Sequence, residues 1–448
     1  MAPLALAFAL AACAANDSFA GGPQLQTSLP AERSGVLSGV EGPIRHVVFI
    51  VQENRSFNNL FMGYPGATTR SYGYDTNGNK VDLVSQSLSE GWDIGHTSKD
   101  FFAACDGLGT LPGTKCKMDG WNNEYASFGA PKDFAYAYAP RSEVDPYWKM
   151  AQQYVLADRM FASNLDGSFI AHQYIVAAYA SRGVDTPYGA WGCEGGSPDK
   201  IPTLTSKRTT GPSVVVCFDN PTIASEADTS GVTWRFYAGA LDGAGGLWSS
   251  YQADKQIYEG KDWTSDVINP PSQFLTDLKA GTLADVTWIT PTFLTSDHPG
   301  VNPDSGPAWV TSLVNAIGTS KFWKTTTIFV MWDDWGGWFD PVKPVFEDYD
   351  GLGFRVPLLM ISPYARQGYV THKRYETASV LRYIEDNFGL APLAHSDKRA
   401  NDPATDAFDY NAKPRAFKKF AGAKPDVYWF ELDRSSRAQR RPNILGDD

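Results

Sequence analysis

The sequence predicts an α/β fold with a mostly parallel central sheet, helices on both of its faces and long loops over one edge. Three observations carry that expectation. Short apolar runs rich in β-branched residues recur along the chain, helix-period segments separate them, and residues 63–145 are rich in Gly, Asn, Asp and aromatics with little periodicity. Strands buried on both faces read as unbroken apolar runs because neither side meets water.

The first such run is Ile44–Val51. Residues 63–145 read as loops over the functional face, Val155–Phe161 as a second strand, and Phe169–Tyr179 as a helix. Residues 182–265 read as an insertion with a strand near Val232–Tyr237. Alternation is then clear: a helix over Ser272–Leu283 with Ser272 as its cap, a strand over Val286–Ile289, and a helix over Ala308–Ile317. Strands over Thr326–Trp332 and Val356–Ile361 follow, and an amphipathic helix over Thr377–Phe388 closes the series. The organisation expected is an export signal over 1–20, a tether over 21–40, a catalytic domain over 41–412 containing the insertion, and an extension over 413–448. Arg434, Arg437, Arg440 and Arg441 in that extension read as a solvated end.

Composition narrows the function class. The formal net charge of −11 disfavours broad binding to nucleic acid, which draws its affinity from cationic contacts to phosphates. Leu4–Ala12 is apolar but too short to span a bilayer, and Leu10-Ala11-Ala12-Cys13 resembles the lipobox before a lipidated cysteine. No Lys or Arg precedes this run, as a full leader would require. The expectation is a protein that is periplasmic, envelope-anchored through Cys13, or secreted. The other four cysteines allow three connectivities, and proximity favours Cys105–Cys116 and Cys193–Cys217.

Ligands in open α/β sheets bind beyond the carboxyl ends of the strands. Glu53-Asn54 follows the first run, Asp333-Asp334 follows Thr326–Trp332, and Asp297-His298 comes shortly after Val286–Ile289. Asp166-Gly167-Ser168 comes after Val155–Phe161 and opens a helix. Carboxylates, an amide oxygen and an imidazole form a donor set for a divalent metal ion. A serine at a helix start has unpaired N–H groups beside it that suit a phosphate oxygen, and a nearby cation lowers its pKa. His172, four residues beyond Ser168, shares its helix face and is a further candidate catalytic group. His46 reads as structural and His395 as surface. No G-x-S-x-G elbow occurs, which argues against a carboxylesterase triad.

Ile44 to Phe57 (IRHVVFIVQENRSF) resembles the first signature of the phosphoesterase family that contains bacterial phospholipases C and acid phosphatases. Further matches are Asp93-Ile94-Gly95-His96, Lys117-Met118-Asp119-Gly120, Trp309 to Ala316, Asp333 to Gly337, Val356 to Ala365 and Ser379 to Glu385. They cover about residues 44–410 in the family's order. The resemblance implies an alkaline-phosphatase-like fold and hydrolysis of phosphoric esters, phospholipids included. It implies a metal on Glu53, Asn54, Asp333 and Asp334, Ser168 as nucleophile with a phosphoenzyme intermediate, and site roles for His96 and His298. The chain departs from the family at Asn58-Asn59, where Asp-His is common, and at Asp334, where the pair is usually Asp-Glu. Trp335, Pro341 and Thr377 stand where histidines are common. Those changes favour the alternative of a catalytically lapsed cell-envelope binding protein. The retained Ser168, Glu53, Asn54 and acid pair oppose it.

Overall fold

The computed structural model describes residues 42–187, 192–241 and 246–438. The expected export signal and tether, with Cys13, lie outside the described residues. Eight strands form the central sheet: β1 (His46–Gln52), β2 (Val155–Ala157), β3 (Trp234–Tyr237), β4 (Val267–Ile268), β5 (Val286–Ile289), β6 (Thr326–Trp332), β7 (Leu358–Ile361) and β8 (Tyr369–Thr371). Side by side they run β4-β3-β5-β1-β6-β7-β2-β8. β1 pairs in parallel with β5 and β6, β3 with β4 and β5, and β8 with β2. Of the eight, β7 runs against both its neighbours, β6 and β2. The two reversals cancel, so the other seven strands point the same way and finish at one edge.

Among the described residues, the helices of seven or more residues are α1 (Ser98–Cys105), α2 (Arg141–Gln153), α3 (Ser168–Ala177), α4 (Ile223–Ser230), α5 (Gln273–Lys279), α6 (Ser305–Gly318), α7 (Ala378–Phe388) and α8 (Asp426–Ala438). Successive strand residues point to opposite faces, yet every residue of β5, β6 and β7 is buried. Both faces are therefore covered, as an α/β sheet requires. Among the described residues no helix is long and apolar enough to cross a membrane.

Several sequence expectations need correcting. Val155–Phe161 is two strands: β2 joins the main sheet, while Met160–Phe161 pairs with Tyr375–Glu376 in a separate ladder. Asp158 and Arg159 turn the chain between them, a break hidden in an apolar run. The strand expected near Val232–Tyr237 is present as β3, and it belongs to the central sheet. The stretch 63–145 holds α1 and the start of α2, whose apolar face was obscured by Pro146 and charged neighbours. The extension is also docked in part. Trp429 of α8 is fully buried, with its ring 5.0 Å from that of Trp309, and Asp433 accepts from the Ser272 backbone N–H at 3.1 Å.

Both expected disulfides are present, Cys105–Cys116 and Cys193–Cys217. The first ties the end of α1, just beyond His96, to the loop that follows. Closing loops of this size removes denatured-chain entropy equivalent to about 3 kcal/mol each. A Cys105→Ala/Cys116→Ala double variant is expected to melt several degrees earlier in a calorimeter. An unchanged melting temperature would mean the bond does not constrain the folded chain.

Candidate active site

Seven registered pairs, from His46↔Thr326 to Gln52↔Trp332, bring the ends of β1 and β6 level. Glu53 and Asp333 are the next residues, and the Asp333 N–H donates to the Gln52 carbonyl at 3.0 Å. Asn54 then adopts φ +55°, in the left-handed region that asparagine tolerates better than most residues. That turn lets its N–H donate to Asp333 Oδ1 at 2.9 Å. The facing loop depends on glycine: Gly336 has φ +59°, and a Cβ there would lie 2.1 Å from the Asn54 carbonyl oxygen. The Gly336 N–H in turn donates to Asp334 Oδ1 at 2.6 Å.

α3 brings the third element. Gly167 occupies its N-cap, Ser168 its first turn, and all ten helical residues are buried. Asp166 fixes the entry, accepting from the N–H groups of Gly167, Asp185 and Ser98, each at 3.0 Å. Burial foremost, then the Asp185 charge, raises the Asp166 pKa to about 6. Ser168 Oγ does not cap its own helix. It lies 3.2 Å from both Asn54 Oδ1 and Asp334 Oδ2 and can donate to either. One turn on, His172 Nε2 lies 3.2 Å from Glu53 Oε1 and 3.8 Å from Asp333 Oδ2. The segments just beyond β1 and β6 and the first two turns of α3 thus each contribute two groups, one to a lower trio of Glu53, Asp333 and His172 and one to an upper trio of Asn54, Asp334 and Ser168.

The electrostatics of the two trios differ. Burial, with the neighbouring Asp333 charge second, holds the Asp334 pKa well above the usual carboxylate range, while His96 acts in the opposite direction. In the lower trio, one ligand-type atom from each residue lies within 4.8 Å of the others, and all three side chains are buried. Asp333 Oδ2 has no hydrogen-bond partner. A buried carboxylate oxygen left unpaired beside a second carboxylate and an imidazole fits a divalent cation, which would satisfy all three. His96 borders the upper trio. Its Nδ1 lies 2.7 Å from the Ile94 carbonyl, which can only accept, so the neutral ring carries its proton there. Nε2 is then the acceptor facing the Asn54 amide Nδ2 at 3.0 Å.

Of the residues singled out by sequence, seven thus meet at one place: Glu53, Asn54, His96, Ser168, His172, Asp333 and Asp334. His298 sits in the loop after β5, with Nδ1 2.9 Å from the Pro299 carbonyl and Nε2 3.8 Å from Asp93 Oδ2. Its ring lies against Phe293 and Trp248. Asp93 begins the segment that ends in His96, so the two histidines flank one loop.

The sequence marks Asp297 beside His298 but not its role in the scaffold beneath these groups. Asp297 is fully buried, accepts from Tyr147 Oη at 2.7 Å and Trp332 Nε1 at 3.0 Å, and has its pKa raised to about 6, chiefly by burial. Its backbone is held by Gln52 and by Arg55, which lies within the first signature. Arg55 carried the signal, since an arginine inside an apolar-strand motif needs buried acceptors.

The departures from the family pattern also have local partners. Asn58 and Asn59 donate to the Arg70 and Ala137 carbonyls. Asp340, beside Pro341, forms a buried ion pair with Arg355 at 2.8 Å and accepts from the Asn58 N–H. Trp335 sets its ring edge-on to His96 at 6.3 Å, and Thr377 Oγ1 accepts from the Ser163 N–H.

The model described as Phosphoesterase family matches residues 44–391. Phospholipase C B of Mycobacterium tuberculosis is 26% identical over 442 residues, covering 84% of this chain and 79% of that protein. Hemolytic phospholipase C of Pseudomonas aeruginosa is 23% identical over 427 residues, covering 79% of this chain and 54% of that protein. A solved structure of a protein in the alkaline phosphatase superfamily from Vibrio parahaemolyticus has a TM-score of 0.38 at 11% identity, covering 79% of this chain and 68% of that one.

Proposed function

This chain belongs to the Phosphoesterase family, and on that footing we propose that it hydrolyses phosphoric esters by nucleophilic attack of Ser168. The observation that carries the reading is the placement of Ser168 Oγ, 3.2 Å from both Asn54 and Asp334 at the start of α3. The amide N–H groups of that first helical turn favour the non-bridging oxygens of a phosphoryl group. In the first step a bond forms between Ser168 Oγ and phosphorus as the bond to the leaving oxygen breaks. The hydroxyl proton has an acceptor within reach in Asp334 Oδ2, 3.2 Å from Ser168 Oγ. The departing alkoxide takes up the proton that Ser168 gave up, returned from Asp334 or exchanged through water, and leaves as the alcohol. Water then cleaves the phosphoserine and regenerates the hydroxyl.

Glu53, Asn54, Asp333 and Asp334 are the residues assigned to hold the divalent ion, with the unpaired Asp333 Oδ2 as the local support. A bound cation supplies charge neutralisation for the phosphoryl oxygens and lowers the pKa of a neighbouring hydroxyl. The names of the relatives support a phospholipid as one substrate class, and the two disulfides support an exported protein, since such bonds persist in oxidising compartments.

A panel of three chromogenic esters tests the reading. p-Nitrophenyl phosphate or p-nitrophenyl phosphorylcholine should be turned over and should lose turnover with a chelator, while p-nitrophenyl acetate should not respond. Which phosphoester is faster separates monoester from diester preference. Silence on both phosphoesters with the ion present would leave a binding protein on the same fold.

A further inference from the structure

The two-tier arrangement of the site has a consequence for the ion itself, and the inference drawn from it rests on the metal assignment proposed above. Three elements approach one point: Glu53 follows β1 directly, Asp333 follows β6 directly, and His172 stands one helical turn beyond Ser168 in α3. The upper groups are engaged with one another. Asn54 bonds to Ser168 and His96, and Asp334 bonds to Ser168 and the Gly336 N–H. Asp333 divides its two oxygens. Oδ1 accepts from the Asn54 N–H, while Oδ2, without a hydrogen-bond partner, stands 3.8 Å from His172 Nε2.

From this geometry we infer that His172 Nε2 is a direct metal ligand, making the seat a mixed nitrogen and oxygen site formed with Glu53 and Asp333. Bonds of about 2.0–2.2 Å to nitrogen and carboxylate oxygen set adjacent ligand atoms roughly 3–3.5 Å apart. The separations of 3.2 Å from His172 Nε2 to Glu53 Oε1 and 3.8 Å to Asp333 Oδ2 are close to such edges. The imidazole sets the class of ion. It favours transition metals such as manganese, iron or zinc, whereas magnesium and calcium take oxygen donors. His172 is thereby separated from the proton-transfer role that its place on the Ser168 face suggests.

The test uses the full folded chain, stripped with chelator and loaded with Mn2+ as the probe. Pulsed electron paramagnetic resonance should detect a directly coordinated 14N in the wild type. That coupling should vanish in His172→Gln and persist in His96→Gln, with circular dichroism confirming the fold of each. Isothermal titration should show Mn2+ affinity falling at least tenfold in His172→Gln, and the preference for Mn2+ over Mg2+ should narrow. A second variant, His172→Ala, guards against glutamine supplying an oxygen ligand of its own. Bound Mn2+ without a 14N coupling in the wild type, or a coupling that survives both His172 variants, would overturn the inference while leaving the metal assignment intact. Asp333→Asn tests that assignment separately, because undiminished Mn2+ stoichiometry there removes the seat altogether.

Discussion

Ser168→Ala is expected to lower kcat for phosphoester hydrolysis by on the order of a thousandfold or more, with little change in melting temperature. The reason for the kinetic loss is that no other hydroxyl takes its place between Asn54 Oδ1 and Asp334 Oδ2 in the described hydrogen-bond pattern. The structural loss is small because Gly167, not Ser168, is the N-cap of α3, and the hydroxyl makes no bond to its own helix. Losing one buried hydrogen bond costs about 1 kcal/mol, which shifts the melting of a chain this size by about 1–2 °C. Rapid acid quenching of the wild type with a labelled phosphoester should leave label on the peptide containing Ser168, and the variant should trap none. Near-normal turnover in the alanine variant would assign the attack to water instead.

The second large effect is expected from Asp333→Asn. This carboxylate joins the two tiers, holding the Asn54 turn with Oδ1 and facing Glu53 and His172 with Oδ2. An amide of the same shape keeps an oxygen for the Asn54 N–H but loses the negative charge that draws a cation. Turnover should become undetectable on the panel of esters. Stability should report the same loss without reference to activity. A ligand at a hundred times its dissociation constant stabilises the folded state by about 2.7 kcal/mol, so the wild type should melt higher with ion than with chelator. The variant should melt at one temperature in both conditions. Without ion it should be no less stable than the wild type, because Asp334 no longer faces a like charge in a buried site. An ion-dependent rise equal to that of the wild type would place the cation elsewhere.

The central strands β1, β5 and β6 were legible in the sequence, and the physical reason is that they are buried on both faces. Their apolar runs are unbroken, and a run that ends abruptly in acids marks a strand end at a functional edge. That the polar members of the candidate site would lie together was legible for the same reason. Glu53-Asn54 and Asp333-Asp334 each close such a run, and Ser168 follows an Asp-Gly turn into an apolar helix. The short strands were not legible. β4 has two residues and β2 three, too few to establish a period, and Asp158 interrupts the segment in which β2 lies. The direction of β7 was also hidden, because a buried antiparallel strand has the same composition as a buried parallel one. Contacts such as Asp297 to Tyr147, separated by 150 residues, depend on three-dimensional packing that local pattern does not encode. His298 was identified by its place after β5, yet its partner Asp93 comes from a loop with no periodicity at all.

The bond from the Asn54 N–H to Asp333 joins residues 279 positions apart. Half of the proposed cation seat therefore leaves the ribosome long before the other half exists. Loop closure across such a span comes late in folding, since its entropy must be overcome before any contact rewards it. A nascent, truncated or partly folded chain holds Glu53 and Asn54 with nothing opposite them. Hydrolytic capacity is consequently expected only once both halves of the candidate site have been made and brought together.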